Sequence, residues 1–192
     1  MTMTTVYLCR HGETALNADG RLRGLADPDL NETGLGQAVA LGRALAGSGA
    51  GFVVSSPLAR ARQTAAAIAE PLGVIAEVDE GFNDRDYGEW TGQVKAEVVA
   101  RFGSVDAAPG VEPTPDVIAR ARPTLERWAD RGEQADCAVA VVTHDAVIRP
   151  LLVDFGVAED QLDVRTASYQ ILDRVDGEWT VRELDILPDA RD

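Results

Sequence analysis

The chain has 192 residues, of which 45% are hydrophobic and 26% are charged, a composition typical of globular proteins. A chain of this length can fold without disulfides or a structural metal, and its two cysteines cannot make a disulfide framework and are too few for a zinc site. No apolar run approaches the roughly 18 residues of a membrane-spanning helix, and the first residues lack the features of a secretory signal. We therefore expect one domain over residues 1–192, located in the cytoplasm.

The charge of the chain excludes several classes of partner. Eighteen basic and 32 acidic residues give a formal net charge of −14, which disfavours binding to nucleic acid or to an anionic membrane surface. Lys95 is the only lysine, so almost every basic side chain is an arginine, the residue that binds phosphate bidentately. A small anion would have to be bound by local arginines against the overall negative field.

The first half of the chain alternates predicted strands and helices. The pattern predicts a strand over 4–10, a loop over 11–30, a helix capped by Thr33, a strand over 52–54, a helix from Ser56-Pro57 to Ala69 and a strand over 73–78. Ser56-Pro57 is a strong helix start, because serine is a common N-cap and proline is common in the first turn.

The second half continues the alternation and ends in a predicted hairpin. We expect helices over 92–101, 116–131 and 145–155, a valine-rich strand over 137–143, and strands over 167–174 and 178–184 joined at Asp176-Gly177. Strands that alternate with helices indicate an α/β fold, with a mostly parallel sheet and an antiparallel edge. That edge could pair across a homodimer or be solvated.

The only two histidines, His11 and His144, each directly follow a predicted apolar strand. Ligands of open α/β sheets bind in the crevice outside the carboxyl ends of the strands, so both imidazoles are expected to face one crevice. Arg10 precedes His11, and Arg60 lies near the start of a helix, where anions are favoured. Each residue alone has an ordinary structural explanation, but together they indicate a phosphate pocket.

Five blocks of sequence, in order along the chain, resemble the histidine phosphatase superfamily, the phosphoglycerate mutase-like proteins. The first is Leu8-Cys9-Arg10-His11-Gly12-Glu13-Thr14 with Asn17, and the second runs from Arg21 to Ala38. The others are the segments 55–64 (SSPLARARQT), 84–92 (DRDYGEWTG) and 142–149 (VTHDAVIR). The branch that contains small phosphatases of broad specificity is the one the chain resembles.

The resemblance implies a three-layer α/β/α sandwich and a covalent phosphohistidine, with no metal and no cofactor. His11 would be the nucleophile, Arg10, Arg60 and His144 would bind the phosphoryl group, Asn17 would lie nearby, and Arg21 would line the entrance. A nucleophilic imidazole must be neutral, whereas a bound dianionic phosphate would favour a protonated His144.

The chain departs from the family pattern at the residue that protonates the leaving group. Relatives usually have a glutamate where this chain has Asp84, whose side chain is shorter by about 1–1.5 Å. Either the loop moves inward or another carboxylate replaces it. Asp145 is the rival, because acid phosphatases and phytases use a His-Asp pair, although Asp145 could also cap the helix that begins there. We favour Asp84 as the proton donor.

The favoured function is a phosphomonoester hydrolase acting on a small phosphorylated metabolite. The first alternative is a cofactor-dependent phosphoglycerate mutase, which uses the same pocket. Mutases of this family typically carry longer insertions between the blocks that hold Asp84 and His144, so the short segment here favours a phosphatase. The second alternative is a protein that binds a phospholigand without catalysis.

Overall fold

A computed structural model describes residues 2–189. Its six strands are β1 (Met3–Arg10), β2 (Ala50–Ser55), β3 (Ala76–Val78), β4 (Ala138–Thr143), β5 (Tyr169–Val175) and β6 (Glu178–Ile186). They form one sheet in the order β3-β2-β4-β1-β5-β6. The first four strands in this order pair in parallel, whereas β5 and β6 are antiparallel. The turn between β5 and β6 has positive φ at both Asp176 and Gly177, as the sequence predicted.

The described residues contain six α-helices, of which four cover the two faces of the sheet. The six are α1 (Ala15–Ala18), α2 (Glu32–Leu45), α3 (Ala59–Leu72), α4 (Lys95–Phe102), α5 (Thr114–Ala135) and α6 (Asp145–Asp154). Buried side chains of α2 and α3 pack on one face, and those of α5 and α6 pack on the other. The predicted three-layer sandwich with a mostly parallel sheet and an antiparallel edge is confirmed. No helix between residues 2 and 189 is long and apolar enough to cross a membrane.

Strand β4 is continuously apolar because both of its faces are buried. Val139 and Val141 pack with α5 and α6, whereas Ala140 and Val142 pack with α2 and α3. Successive side chains of a strand point to opposite faces, and both faces of this sheet are covered by helices. Burial of each valine side chain contributes about 1.5–3 kcal/mol to folding, so this strand anchors the core.

The pairing of β1 with β4 places the two histidines at one edge of the sheet. Arg10 and Thr143 are partners in the parallel register, and the His11 amide donates to the Thr143 carbonyl at 3.1 Å. His11 and His144 are the next residues of these neighbouring strands. Both histidines thus follow the carboxyl ends of strands, as expected, and the structure adds that these two strands are neighbours.

None of the three residues suggested as helix caps is a cap, whereas α6 begins at Asp145 as predicted. Asn31, not Thr33, caps α2, because its Oδ1 accepts from the Gly34 amide at 2.8 Å. Helix α3 begins only at Ala59 with Leu58 in the cap position, since the Ser56 amide still bonds to the sheet at the Val142 carbonyl. His144 occupies the cap position of α6, so Asp145 is the first residue of that helix and not its cap.

Candidate active site

His11 and His144 lie side by side, with ring centroids 5.1 Å apart, and both are fully buried. The Nδ1 atom of His11 is 2.6 Å from the Gly12 carbonyl oxygen. A carbonyl can only accept, so Nδ1 carries the proton and the lone pair lies on Nε2. That Nε2 is buried and has no hydrogen-bond partner within the protein. The geometry presents a neutral imidazole with a free nucleophilic nitrogen.

Close backbone packing holds His11 in this position. A Cβ atom on Gly12 would lie 2.5 Å from the Gly34 carbonyl oxygen, so only glycine fits where the loop meets α2. The Gly12 amide donates to Thr64 Oγ1 at 3.0 Å, and the Ala167 amide donates to the His11 carbonyl at 3.1 Å. The loop after β1 is thus tied to both neighbouring elements.

His144 contacts Ser56 on one side and Asp84 on the other. Its Nε2 lies 2.8 Å from Ser56 Oγ, and its Nδ1 lies 3.5 Å from Asp84 Oδ2. From the sequence, Ser56 was expected only to cap a helix, and this contact was not predicted. The sequence did contain a feature that could have indicated a role for Ser56 in the site, because Ser56 belongs to the same block, segment 55–64, as Arg60.

Asp84 and Arg60 form a buried ion pair, with Arg60 Nη2 2.8 Å from Asp84 Oδ2. Arg60 also donates to the Gly24 carbonyl at 2.8 Å and to the Ala26 carbonyl at 2.7 Å, while its Nε has no partner. The segment 21–30 is thereby held against the site. His11, Arg60 and His144 are each 0% exposed, so the crevice that the two imidazoles were expected to face is covered. A ligand can enter only if covering segments move.

Hydrogen bonds from two other elements hold the loop that carries Asp84 in place. Arg120 donates from Nη1 to the Asn83 carbonyl at 2.7 Å and from Nη2 to the Asp84 carbonyl at 2.9 Å. Thr143 Oγ1 donates to the Phe82 carbonyl at 2.7 Å, which ties the same loop to the end of β4. Arg120 is a positioning residue that the sequence analysis missed.

Asp145, the rival proton donor, has a different partner. Its Oδ1 accepts from Arg149 Nε at 2.8 Å along α6. Asp145 side-chain exposure is 20%, against 2% for Asp84. The contact with His144 is thus made by Asp84, which favours Asp84 as the proton donor.

Arg10 is held by a strained segment of backbone. Its Nη1 donates to the Val164 carbonyl at 2.6 Å, and its Nε is buried without a partner. Val164 has φ +43°, which is unfavourable for a β-branched residue. Such conformations persist where the surrounding structure fixes them, and they concentrate at functional sites. Nothing in the sequence predicted this strain.

Asn17 and Arg21 have contacts that stabilise loops. Asn17 Oδ1 accepts from the Thr14 amide at 3.0 Å and from Thr14 Oγ1 at 2.8 Å, which caps α1. Arg21 Nη1 donates to the Gly92 carbonyl at 2.8 Å, and its main chain bridges to Val94. Neither makes a direct contact with the histidines, so their proximity to a bound phosphate stays a prediction.

Burial lowers the pKa of both histidines well below 6.5, and nearby positive charges lower it further. For His11 these charges are that of His144, whenever that ring is protonated, and those of Arg60 and Arg10; for His144 the largest is that of Arg60. Both rings are therefore neutral in the unliganded protein. The protonated His144 expected from the sequence requires a bound dianion that offsets these charges.

Five buried nitrogen atoms in this region lack a hydrogen-bond partner. They are Arg10 Nε, His11 Nε2, Arg23 Nε, Arg60 Nε and His144 Nδ1. An unpaired buried donor costs about 1–3 kcal/mol, so native proteins rarely keep several together without a function. A tetrahedral oxyanion has enough acceptor atoms for the arginine and His144 donors, whereas His11 Nε2 carries a lone pair and cannot donate. No group of three or more His, Cys, Asp or Glu side chains within residues 2–189 is arranged to hold a metal ion.

Comparison with known proteins agrees with this arrangement. Residues 6–186 match the histidine phosphatase superfamily (branch 1). A 2,3-bisphosphoglycerate-dependent phosphoglycerate mutase of Methylobacterium sp. (strain 4-46) is 36% identical over 167 residues, covering 77% of this chain and 78% of the relative. The uncharacterized phosphatase PhoE of Bacillus subtilis (strain 168) is 32% identical over 197 residues, covering 96% of this chain and 95% of the relative.

Solved structures extend the similarity to the whole fold. A mycobacterial glucosyl-3-phosphoglycerate phosphatase, whose structure was solved in complex with VO3, has a TM-score of 0.85 and 27% identity, and the alignment covers 95% of this chain and 98% of that one. The relatives thus include phosphatases and phosphoglycerate mutases that share one fold. On these grounds the chain belongs to the histidine phosphatase superfamily, branch 1.

Proposed function

We propose that this protein hydrolyses a small phosphorylated metabolite through a phosphohistidine on His11, without a metal or cofactor. The observation that carries the proposal is the unpartnered, unprotonated Nε2 of His11 beside the unpartnered donors of Arg10, Arg60 and His144. Phosphoryl transfer depends mainly on positioning and on positive charge around the equatorial oxygens, and these residues offer both.

In the first step, His11 Nε2 attacks phosphorus with its lone pair, a P–N bond forms, and the P–O bond to the alcohol breaks. Arg10, Arg60 and His144 hold the phosphoryl oxygens. Asp84 donates a proton to the leaving oxygen, so that an alcohol departs instead of an alkoxide.

In the second step, a water molecule attacks the phosphohistidine. Its oxygen bonds to phosphorus, the P–N bond breaks with its electron pair returning to Nε2, and the water proton passes to the carboxylate of Asp84. Inorganic phosphate leaves, and His11 and Asp84 regain their starting protonation states. Asp84 thus serves as acid and then as base within one cycle.

The mutase alternative has support from the comparisons. The alignment with the Methylobacterium mutase covers nearly equal shares of both chains, so the two proteins have similar lengths. The short segment between Gly92 and His144 therefore does not by itself distinguish a phosphatase from a mutase. The distinction rests on whether water or a second phosphoglycerate accepts the phosphoryl group.

The test compares hydrolysis and isomerisation in the same preparation. We expect steady turnover of an aryl phosphate, loss of this turnover in His11→Ala by at least about a thousandfold, and acid-labile phosphate on His11 in rapid-quench samples. Rapid isomerisation of 3-phosphoglycerate with 2,3-bisphosphoglycerate, at a rate well above hydrolysis, would establish the mutase instead. Binding of phosphate with no turnover of any ester would leave a phospholigand-binding protein.

A further inference from the structure

The peptide unit that joins Asp163 to Val164 is held at both ends by charged side chains. Arg149 of α6 donates from Nη2 to the Asp163 carbonyl at 2.8 Å, and the Val164 amide donates to Asp185 Oδ1 of β6 at 2.7 Å. Asp185 Oδ2 also accepts from the Asp163 amide at 2.8 Å. Hydrogen bonds to a charged group are shorter and stronger than those between neutral groups, so the orientation of this peptide unit is fixed from both sides.

That orientation accounts for the unusual backbone of Val164. The angle φ is the rotation of this peptide unit about the N–Cα bond of Val164, and a return from +43° to a negative value would turn its carbonyl and its amide away from their partners. The Val164 side chain is 0% exposed and packs in the core shared with α5 and α6, so the residue itself cannot rotate instead. The carbonyl on the other side of Val164 accepts from Arg10 Nη1 at 2.6 Å. The Asp185 carboxylate therefore acts on Arg10 through a single residue.

A bulge in β6 aims the Asp185 side chain at this loop. The register of β5 with β6 shifts between Tyr169 and Ile171, and Asp185 itself has φ +53°. Bulges redirect a side chain and are frequent beside active sites, and aspartate tolerates the left-handed region better than most residues. Gln170, which is 0% exposed, accepts from the Asp185 amide and donates to Asp185 Oδ1 at 3.2 Å. Hydrogen bonds to this buried side chain thus fix both the backbone and the carboxylate of Asp185.

We propose that Asp185 is a positioning residue for Arg10, since it holds Val164 in the backbone conformation whose carbonyl orients the guanidinium for the transferred phosphoryl group. The proposal rests on the proposed function and adds to it a residue of β6, the last strand. Arg10 acts on the phosphoryl oxygens and not on the leaving oxygen. Loss of the Asp185 carboxylate should therefore weaken phosphate binding and slow all esters alike, whatever their leaving group.

The variant Asp185→Asn tests this role, because asparagine has a similar size and also tolerates positive φ but loses the charge and one acceptor atom. We expect the Kd of inorganic phosphate, measured by calorimetry, to rise about 5- to 20-fold, and kcat/KM to fall by a similar factor for esters with good and poor leaving groups. In the Arg10→Met background the same substitution should change kcat/KM by less than about twofold, because Asp185 acts through Arg10.

Relief of the backbone strain at Val164 gives a second readout. Glycine adopts φ +43° without steric cost, whereas alanine retains that cost and also lacks most of the valine side chain. The rise in phosphate Kd caused by Asp185→Asn should therefore be at least about threefold smaller in Val164→Gly than in Val164→Ala. Equal rises in the two backgrounds would show that Asp185 does not act through the conformation of Val164, and would overturn the proposal.

Asp173→Asn is the matched control, since it removes another carboxylate from the antiparallel edge of the sheet. Asp173 accepts from Thr5 Oγ1 at 2.7 Å and pairs with Arg182 at 2.9 Å, away from the loop that holds Arg10. This variant should leave the phosphate Kd and kcat/KM within about twofold of wild type. Urea unfolding corrects each variant for its folded fraction, so that a loss of stability is not mistaken for a loss of binding.

The remaining outcomes also decide the role of Asp185. An unchanged phosphate Kd in Asp185→Asn, or an equal loss of kcat/KM with Arg10 present and with Arg10 replaced, would assign Asp185 a purely structural role and overturn the proposal. If Asp185→Asn does not fold, Asp185→Gly, which accommodates φ +53°, is measured in its place. Phosphate binding requires no turnover, so it tests Asp185 separately from hydrolysis if the wild type cleaves no ester.

Discussion

The two buried histidines make the stability of the protein depend on pH in a defined direction. Both are neutral in the native state, since burial and neighbouring positive charges hold their pKa well below 6.5. In the unfolded chain each titrates near its ordinary pKa of about 6.5. Below that pH the unfolded state binds protons that the native state does not, so the free energy of unfolding falls as pH falls. The free energy of unfolding stops falling only at a pH low enough to protonate the two histidines in the native state.

The size of the effect follows from proton linkage. Each histidine that stays neutral in the native state costs about 1.4 kcal/mol of stability between about pH 7.5 and about pH 5.5, or about 3 kcal/mol for the pair. Urea unfolding at each pH, followed by the fluorescence of buried Trp128, measures this loss. The variant His144→Gln retains every carboxylate, so the difference between its pH dependence and that of the wild type isolates one histidine.

We expect the wild type to lose about 1.4 kcal/mol more than His144→Gln over this interval, and His11→Gln to give a similar difference. Parallel curves for wild type and variant would show that the histidine binds a proton in the native state, and would refute the electrostatic reasoning. Saturating inorganic phosphate should reduce the difference for His144, because a bound dianion favours its protonated form.

Further predictions concern the acid, its support and the backbone contact at His11. Asp84→Asn should slow esters with poor leaving groups at least about tenfold more than activated aryl esters, whereas Asp145→Asn should not; the reverse pattern would assign the acid to Asp145. Arg120→Met should show the same selectivity with a smaller loss, since Asp84 is only displaced, and uniform rates across esters would contradict that role. Gly12→Ala should lower the free energy of unfolding by about 1–3 kcal/mol in urea titrations because its Cβ meets the Gly34 carbonyl, and an unchanged midpoint would show that the loop adapts. Dialysis against EDTA should leave aryl phosphatase activity unchanged, and loss restored by a divalent cation would refute metal independence.

The fold could be predicted because its signals are local and consistent with one another. The apolar runs that became β1 and β4 each end at a histidine, and parallel strands bring those ends together without further information. The hairpin at Asp176-Gly177 is equally local, because its turn needs positive φ at two successive residues. Helix starts were less accurate, since Ser56 resembles a cap but its amide remains in the sheet.

The parts of the site that the sequence did not predict depend on contacts between distant residues. Arg120 looks like an ordinary polar residue of an amphipathic helix, yet it holds the carbonyls of the loop that carries Asp84. Val164 adopts a positive φ, which a β-branched residue normally avoids. Local propensity therefore predicts against the backbone conformation whose carbonyl holds Arg10. The closure of segment 21–30 over the site also depends on distant partners, because its carbonyls bind Arg60.

The parallel pairing of β1 with β4 also has a consequence for how activity arises during folding. These strands are far apart in the chain, at Met3–Arg10 and Ala138–Thr143, and each is directly followed by one of the two histidines. A nascent chain that has not yet emerged as far as residue 138 has the nucleophile but neither the neighbouring strand nor the second ring. Non-local strand pairing of this kind forms slowly compared with helices. Recovery of turnover after dilution from denaturant therefore requires that β1 and β4 have paired. We expect it to be slower than the recovery of the helical circular dichroism signal.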